Sequence, residues 1–143
     1  MIILDTDVLS ALMRERPDQT VTEWLDRQPE HSIWTTSITL MEIHYGLQIM
    51  PAGRRRDRMT EELAAVLNDE IEERYALFDI GAAQQAATLM ATRRTRRRSV
   101  DFRDTMIAGI ALTNRATLAT RNTAHFANLS VTVVNPWTDK SQE

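Results

Sequence analysis

Cysteine is absent from this 143-residue chain, and lysine nearly so: Lys140 stands alone against sixteen arginines. Without a thiol there is no disulfide framework, no thiolate metal site and no cysteine nucleophile. Long apolar runs are missing too. Only Ile2-Ile3-Leu4 precedes the first acid, Asp5, which is too short for the core of a signal peptide. No stretch approaches the roughly 18 apolar residues that a bilayer span requires. These absences lead us to expect a cytoplasmic protein with no membrane association. Histidine is sparse, and His31, His44 and His125 fall at no spacing that suggests zinc. Each is expected to be a surface or otherwise satisfied side chain. A global excess of positive charge is lacking as well, since the formal net charge is −3. The arginines are nevertheless clustered, at Arg54-Arg55-Arg56 with Arg58 and at Arg93-Arg94 with Arg96-Arg97-Arg98. Guanidinium groups pair bidentately with phosphate oxygens, so such runs permit a nucleic-acid partner. Solvated helix ends explain them equally well, and no RNA-binding residue is assigned.

What is present alternates between strand and helix patterns. Residues 2–4 read as a buried first strand, followed by helical spacing at Val8, Leu9, Leu12 and Met13 up to Pro17. Asp18 can cap a second helix carrying Val21, Trp24 and Leu25. Residues 32–36 have strand composition, and a helix is expected from Ser37 through Ile49, ended by Pro51-Ala52-Gly53. An amphipathic helix over 54–70, a strand at 75–78, an alanine-rich helix over 80–95 and a helix over 103–114 follow. Strands near 117–120 and at 131–134 flank a short helical turn, and the tail after Trp137 is expected to be loose. This order predicts a three-layer α/β/α sandwich around a central, mostly parallel sheet. With no repeat or linker, residues 1–143 form one expected domain, ordered over about 1–137 with a tail at 138–143.

Ligands of open α/β sheets bind beyond the carboxyl ends of the strands. Asp5, Thr6 and Asp7 follow the first strand, Glu42 lies early in the helix after the second, and Arg121 and Asn122 follow the strand near 117–120. Asp104 opens the helix before that strand. Clustered carboxylates raise one another's pKa unless a cation intervenes. An all-oxygen donor set selects Mg²⁺, with Mn²⁺ able to substitute, over zinc or copper. A metal-bound water beside a carboxylate can hydrolyse a phosphodiester. Capping competes with this reading: Asp5, Asp7 and Asn122 can each cap the turn they open, and Asp101 and Asp104 stand three apart at a helix start.

The motifs resemble the PIN-domain ribonucleases, in particular the VapC and FitB-like toxins of bacterial toxin–antitoxin pairs. Ile2-Ile3-Leu4-Asp5-Thr6-Asp7 is similar to the family's first motif, and Ser37 to Gly46, with Glu42 four residues before the glycine, to its second. Asp104-Thr105-Met106-Ile107-Ala108-Gly109 matches the third, and Leu118-Ala119-Thr120-Arg121-Asn122-Thr123, followed by His125-Phe126, the fourth. The ending Val134-Asn135-Pro136-Trp137 also resembles FitB-like members, so the likeness spans essentially the whole chain. It implies a Mg²⁺-dependent endoribonuclease in which Asp5, Glu42 and Asp104 form the metal site and Asn122 completes the catalytic set. Thr6, Asp7 and Thr120 would support them. Asp7 replaces the usual asparagine, and Asn122 stands where many members carry an acid. One well-bound ion is therefore expected, with any second recruited by RNA phosphate. The resemblance further implies an RNA substrate, a cognate small DNA-binding antitoxin of the VapB or FitA kind, and a homodimer.

Asp5-Thr6-Asp7 after an apolar strand also fits haloacid dehalogenase-type phosphatases, and acidic strand ends fit receiver domains. Both normally need a lysine near the phosphate, and here the only lysine lies in the tail. A PIN-like domain that binds RNA without cutting it is a third alternative.

Overall fold

The computed structural model describes residues 1–97 and 101–140. Its five strands are β1 (Ile2–Leu4), β2 (Ile33–Thr36), β3 (Tyr75–Ala76), β4 (Thr117–Ala119) and β5 (Val133–Val134). They run in the order β3-β2-β1-β4-β5, every neighbouring pair parallel. Six helices connect them: α1 (Thr6–Leu12), α2 (Gln19–Asp26), α3 (Ser37–Ile49), α4 (Arg54–Val66), α5 (Ile80–Thr95) and α6 (Phe102–Asn114).

Successive side chains on a strand point to opposite faces, so a run such as Ile3-Leu4 feeds two cores. Leu4 and Ala119 join Val8, Leu9, Trp24, Ile43, Leu47 and Leu63 in one cluster, while Ile3 and Leu118 join Ala82, Ile107, Ala108 and Phe126 in the other. Helices therefore cover both faces of the sheet, as the alternating order predicted. Small side chains set the spacing of the second layer. An added Cβ at Gly109 would lie 2.5 Å from the Ala82 carbonyl oxygen and 3.1 Å from Ala86. A backbone atom cannot give way like a side-chain tip, so Gly109→Ala is expected to destabilise the protein by about 1–3 kcal/mol through overpacking. A urea denaturation midpoint measures this loss.

Element boundaries differ from the sequence expectation where side chains or tertiary pairing intervene. The helix expected over 54–70 stays α-helical only to Val66. A π-type turn, Leu67–Ile71, completes it, with the Glu72 N–H bonded to the Leu67 carbonyl at 2.9 Å. That wider turn carries Ile71 into full burial. The strand expected at 75–78 stops at Ala76, because the Phe78 N–H is taken by Ser37 Oγ at 3.1 Å and Asp79 caps α5. The last strand begins at Val133, where its register with Leu118 begins. Beyond Trp137 the chain is held further than expected: Trp24 Nε1 donates to Asp139 Oδ2 at 3.1 Å, and Arg27 Nη2 to the Asp139 carbonyl at 3.2 Å. The rest of that expected tail, 141–143, and Arg98 of the second arginine run lie outside the described residues. Among the described residues, no helix is long and apolar enough to cross a membrane.

Candidate active site

The chain leaves β1 for β2 and β3 on one side, then crosses to β4 and β5 on the other. Connections therefore diverge at the carboxyl ends of β1 and β4, and a crevice opens there. Asp5 occupies the end of β1 and is 5% exposed. Its backbone N–H bonds the Ala119 carbonyl of β4 at 3.1 Å, and Oδ1 accepts from the Val8 N–H at 3.0 Å. Asp5 is thus the cap of α1 as well as a site candidate. Burial raises its pKa from 3.8 to about 6, against the Thr120 hydroxyl and the Val8 N–H, which lower it; the nearby Asp7 and Asp104 add to the rise. A desolvated carboxylate between two like charges favours proton or cation uptake.

The other candidates converge on the same sheet edge. Glu42, in the second turn of α3, accepts from Thr6 Oγ1 at 2.9 Å through Oε1, with Arg103 Nη1 at 3.8 Å from Oε2. Burial raises its pKa too, opposed by the Thr6 hydroxyl and the Arg103 charge, with Asp104 and Asp101 raising it further. The rivalry between Asp101 and Asp104 resolves cleanly. Asp101 caps α6, accepting from the Asp104 N–H at 3.0 Å, which leaves the Asp104 carboxylate free of capping duty. Asn122 does not cap the turn it opens: its Nδ2 donates to Asp7 Oδ2 at 3.1 Å, and its N–H to Thr120 Oγ1 at 3.0 Å. Arg121, between them, lies over the Trp137 ring at 4.6 Å.

Two contacts of these acids escaped the sequence reading. His125, expected to be a surface or otherwise satisfied side chain, is exposed and places Nδ1 3.0 Å from Asp104 Oδ2. Arg103 sets a cation beside Glu42. Metal spacing among the histidines could not reveal His125. Its position three residues after Asn122, in the same strand-exit loop, was the available signal.

The donor chemistry fits a hard divalent cation, since Asp5, Glu42 and Asp104 offer oxygen alone and the most buried of them pairs with no cation in the salt bridges seen. Among the described residues, no three acidic or histidine side chains already close around one point. Glu42 and Asp104 are instead turned onto Thr6 and His125.

The model of the PIN domain matches residues 2–131. The chain belongs to the PIN domain family. Within it, the chain is VapC- and FitB-like. It is 36% identical over 137 residues to plasmid stability protein StbB of Pseudomonas syringae pv. tomato, covering 96% of this chain and 99% of that protein. To VapC ribonuclease Y4jK of Sinorhizobium fredii it is 34% identical, covering 96% and 98% of the two chains. Toxin FitB of Neisseria gonorrhoeae is 30% identical and is covered in full by 97% of this chain. In structure, the FitAB complex bound to an IR36 DNA fragment contains a chain with a TM-score of 0.86 at 28% identity, each chain covered in full. The PIN assignment replaces the phosphatase and receiver alternatives.

Proposed function

We propose that this PIN domain is a metal-dependent endoribonuclease toxin of a toxin–antitoxin pair, acting through Asp5, Glu42, Asp104 and Asn122. The carrying observation is Asp5, a buried carboxylate at the switch point of the sheet, with a pKa near 6 and two further acids beside it. The names of its relatives, a VapC ribonuclease and the toxin FitB, point the same way.

Asp5, Asp104 and Glu42 would hold the ion. Magnesium, or manganese in its place, would supply positive charge against the phosphate and the polarisation of a water. The chain's own groups supply the order around it. Thr6 fixes the Glu42 carboxylate, which leaves that acid to orient the attacking water. Thr120 steadies Asp5, and Asn122 holds Asp7 at the rim. Hydrolysis in this arrangement breaks the bond between phosphorus and the 3′ oxygen, leaving a 5′ phosphate. Incubation of purified protein with total bacterial RNA, in Mg²⁺ or in EDTA, tests the reading. Defined fragments in Mg²⁺ alone are expected, and intact RNA in Mg²⁺ with antitoxin absent overturns it.

A cognate small DNA-binding antitoxin is the proposed partner, in keeping with the FitAB and FitAcB complexes among the similar structures. A groove of about 280 Å³, lined by Met13, Leu47, Met50 and Met59, opens at Thr6, Glu42 and Arg103. Flexible methionines accept varied apolar side chains. A basic antitoxin side chain at the groove's polar end would meet the carboxylates. A second copy of the chain is the other proposed partner. Met41, Tyr45 and Ile49 stand four apart on α3 and are 51%, 61% and 65% exposed, an apolar stripe suited to an isologous contact. Tyr45→Glu would place a charge in that contact, and light scattering after gel filtration is expected to show a monomer where the wild type is a dimer. We propose the cytoplasm as its location.

A further inference from the structure

Arginine runs at a nuclease surface invite assignment to RNA phosphate, yet one member of the second run is committed elsewhere. Arg94, Arg96 and Arg97 are exposed, whereas Arg93 is half-buried. Its Nη1 donates to Thr105 Oγ1 at 3.0 Å and its Nη2 to the His125 carbonyl at 2.6 Å. Both acceptors belong to residues linked to Asp104. Thr105 follows Asp104 in the chain, is fully buried, and donates its own hydroxyl to the Asp101 carbonyl at 2.7 Å. His125 lies in the 3₁₀ turn Thr123–Phe126 and presents its ring to Asp104. One planar guanidinium thus ties the strand-exit turn after β4 to the first turn of α6.

We propose that Arg93 is a positioning residue: by clamping the His125 backbone to Thr105, it holds the His125 ring against Asp104 and so sets where that carboxylate is presented. In its metal-binding consequence the inference rests on the ribonuclease reading above. A fork of two donors at fixed separation can serve both acceptors at once, and a lysine ammonium cannot reproduce that geometry. A groove contact to RNA would leave these nitrogens free for phosphate. Here both terminal nitrogens already donate within the fold.

The test compares Arg93→Gln and Arg93→Lys with Arg94→Gln, the exposed neighbour. In metal-free protein at constant pH 8, the ¹⁵N shifts of the His125 ring report whether the proton sits on Nδ1, toward Asp104. Both Arg93 variants are expected to move them to the pattern of a free imidazole, and Arg94→Gln to leave them in place. Mn²⁺ affinity by calorimetry is expected to fall about tenfold or more in the Arg93 variants, the size seen when an outer partner of a ligand is lost. With RNA, kcat should fall in the Arg93 variants at little changed KM, whereas Arg94→Gln should leave kcat in place. A double-mutant cycle with His125→Ala guards against a simple folding defect. If Arg93 acts through His125, its loss adds nothing to Mn²⁺ affinity once the ring is gone. Unmoved ring shifts, additive losses, or a KM effect with Mn²⁺ affinity intact would overturn the clamp. Failure of the wild type to cut RNA, with the ring shifts behaving as described, would sink the ribonuclease reading and leave the clamp standing.

Discussion

Asp5→Asn is expected to abolish RNA cleavage while making the metal-free protein more stable at pH 8. The two effects have one cause. Asp5 is buried at the end of β1 without a cationic partner among the salt bridges seen, and burial raises its pKa from 3.8 to about 6. In the unfolded chain the group loses its proton near the ordinary carboxylate value, and in the folded chain only near 6. The folded state therefore holds the extra proton between those values. Stability from this group is fully present below about pH 4 and is lost as pH rises through 6. Above pH 7 the ionised carboxylate costs the metal-free fold about 3 kcal/mol. Asparagine keeps an oxygen for the Val8 N–H and carries no charge. The melting temperature of Asp5→Asn should therefore exceed that of the wild type by on the order of 10 °C at pH 8, with the gap closing toward pH 4. Added Mg²⁺ should raise the wild type alone and narrow the gap from the other side. Equal melting temperatures across the whole pH range would remove the buried charge from the explanation. A stable but inactive variant is the mark of a residue kept for chemistry at the expense of the fold.

The second large effect separates two acids three residues apart. Asp104→Asn is expected to leave the fold intact and lower kcat at least a hundredfold, roughly the several kcal/mol of charge stabilisation that a metal site supplies. Asp101→Ala should do the reverse. Its carboxylate caps α6 by accepting from the Asp104 N–H, so its loss costs about 1 kcal/mol of stability. The protein that remains folded should still cut RNA. Denaturation midpoints and single-turnover rates on the same preparations distinguish the two. Comparable losses of rate in both variants would mean that the cap and the site cannot be told apart by function.

His125 shows most sharply where sequence reading ran out. Three histidines at unrelated positions gave no ligand pattern, and His31 and His44 are exposed as expected. Only the turn after β4, folded against the start of α6, brings the third onto Asp104. The arginine runs were undecidable for the same reason, since charge along a chain does not say which guanidinium will be spent inside the fold. Capping was likewise open: the sequence allowed Asp5, Asp7, Asp101, Asp104 and Asn122 as caps, and of these the structure uses Asp5 and Asp101.

The sequence by itself determined the layer order, the two-faced core of the parallel sheet and the gathering of Asp5, Glu42, Asp104 and Asn122 at one sheet edge. Those features follow from hydrophobic periodicity and from the rule that strand ends face the crevice, both of which are local or topological. Tertiary structure alone decided which oxygen of each acid is already taken, how deeply Asp5 is buried, and that Arg93 reaches Thr105 and His125 at once. These depend on distances between segments far apart in the chain. Hydrogen bonds and desolvation act over a few ångströms, and a sequence carries no record of that separation.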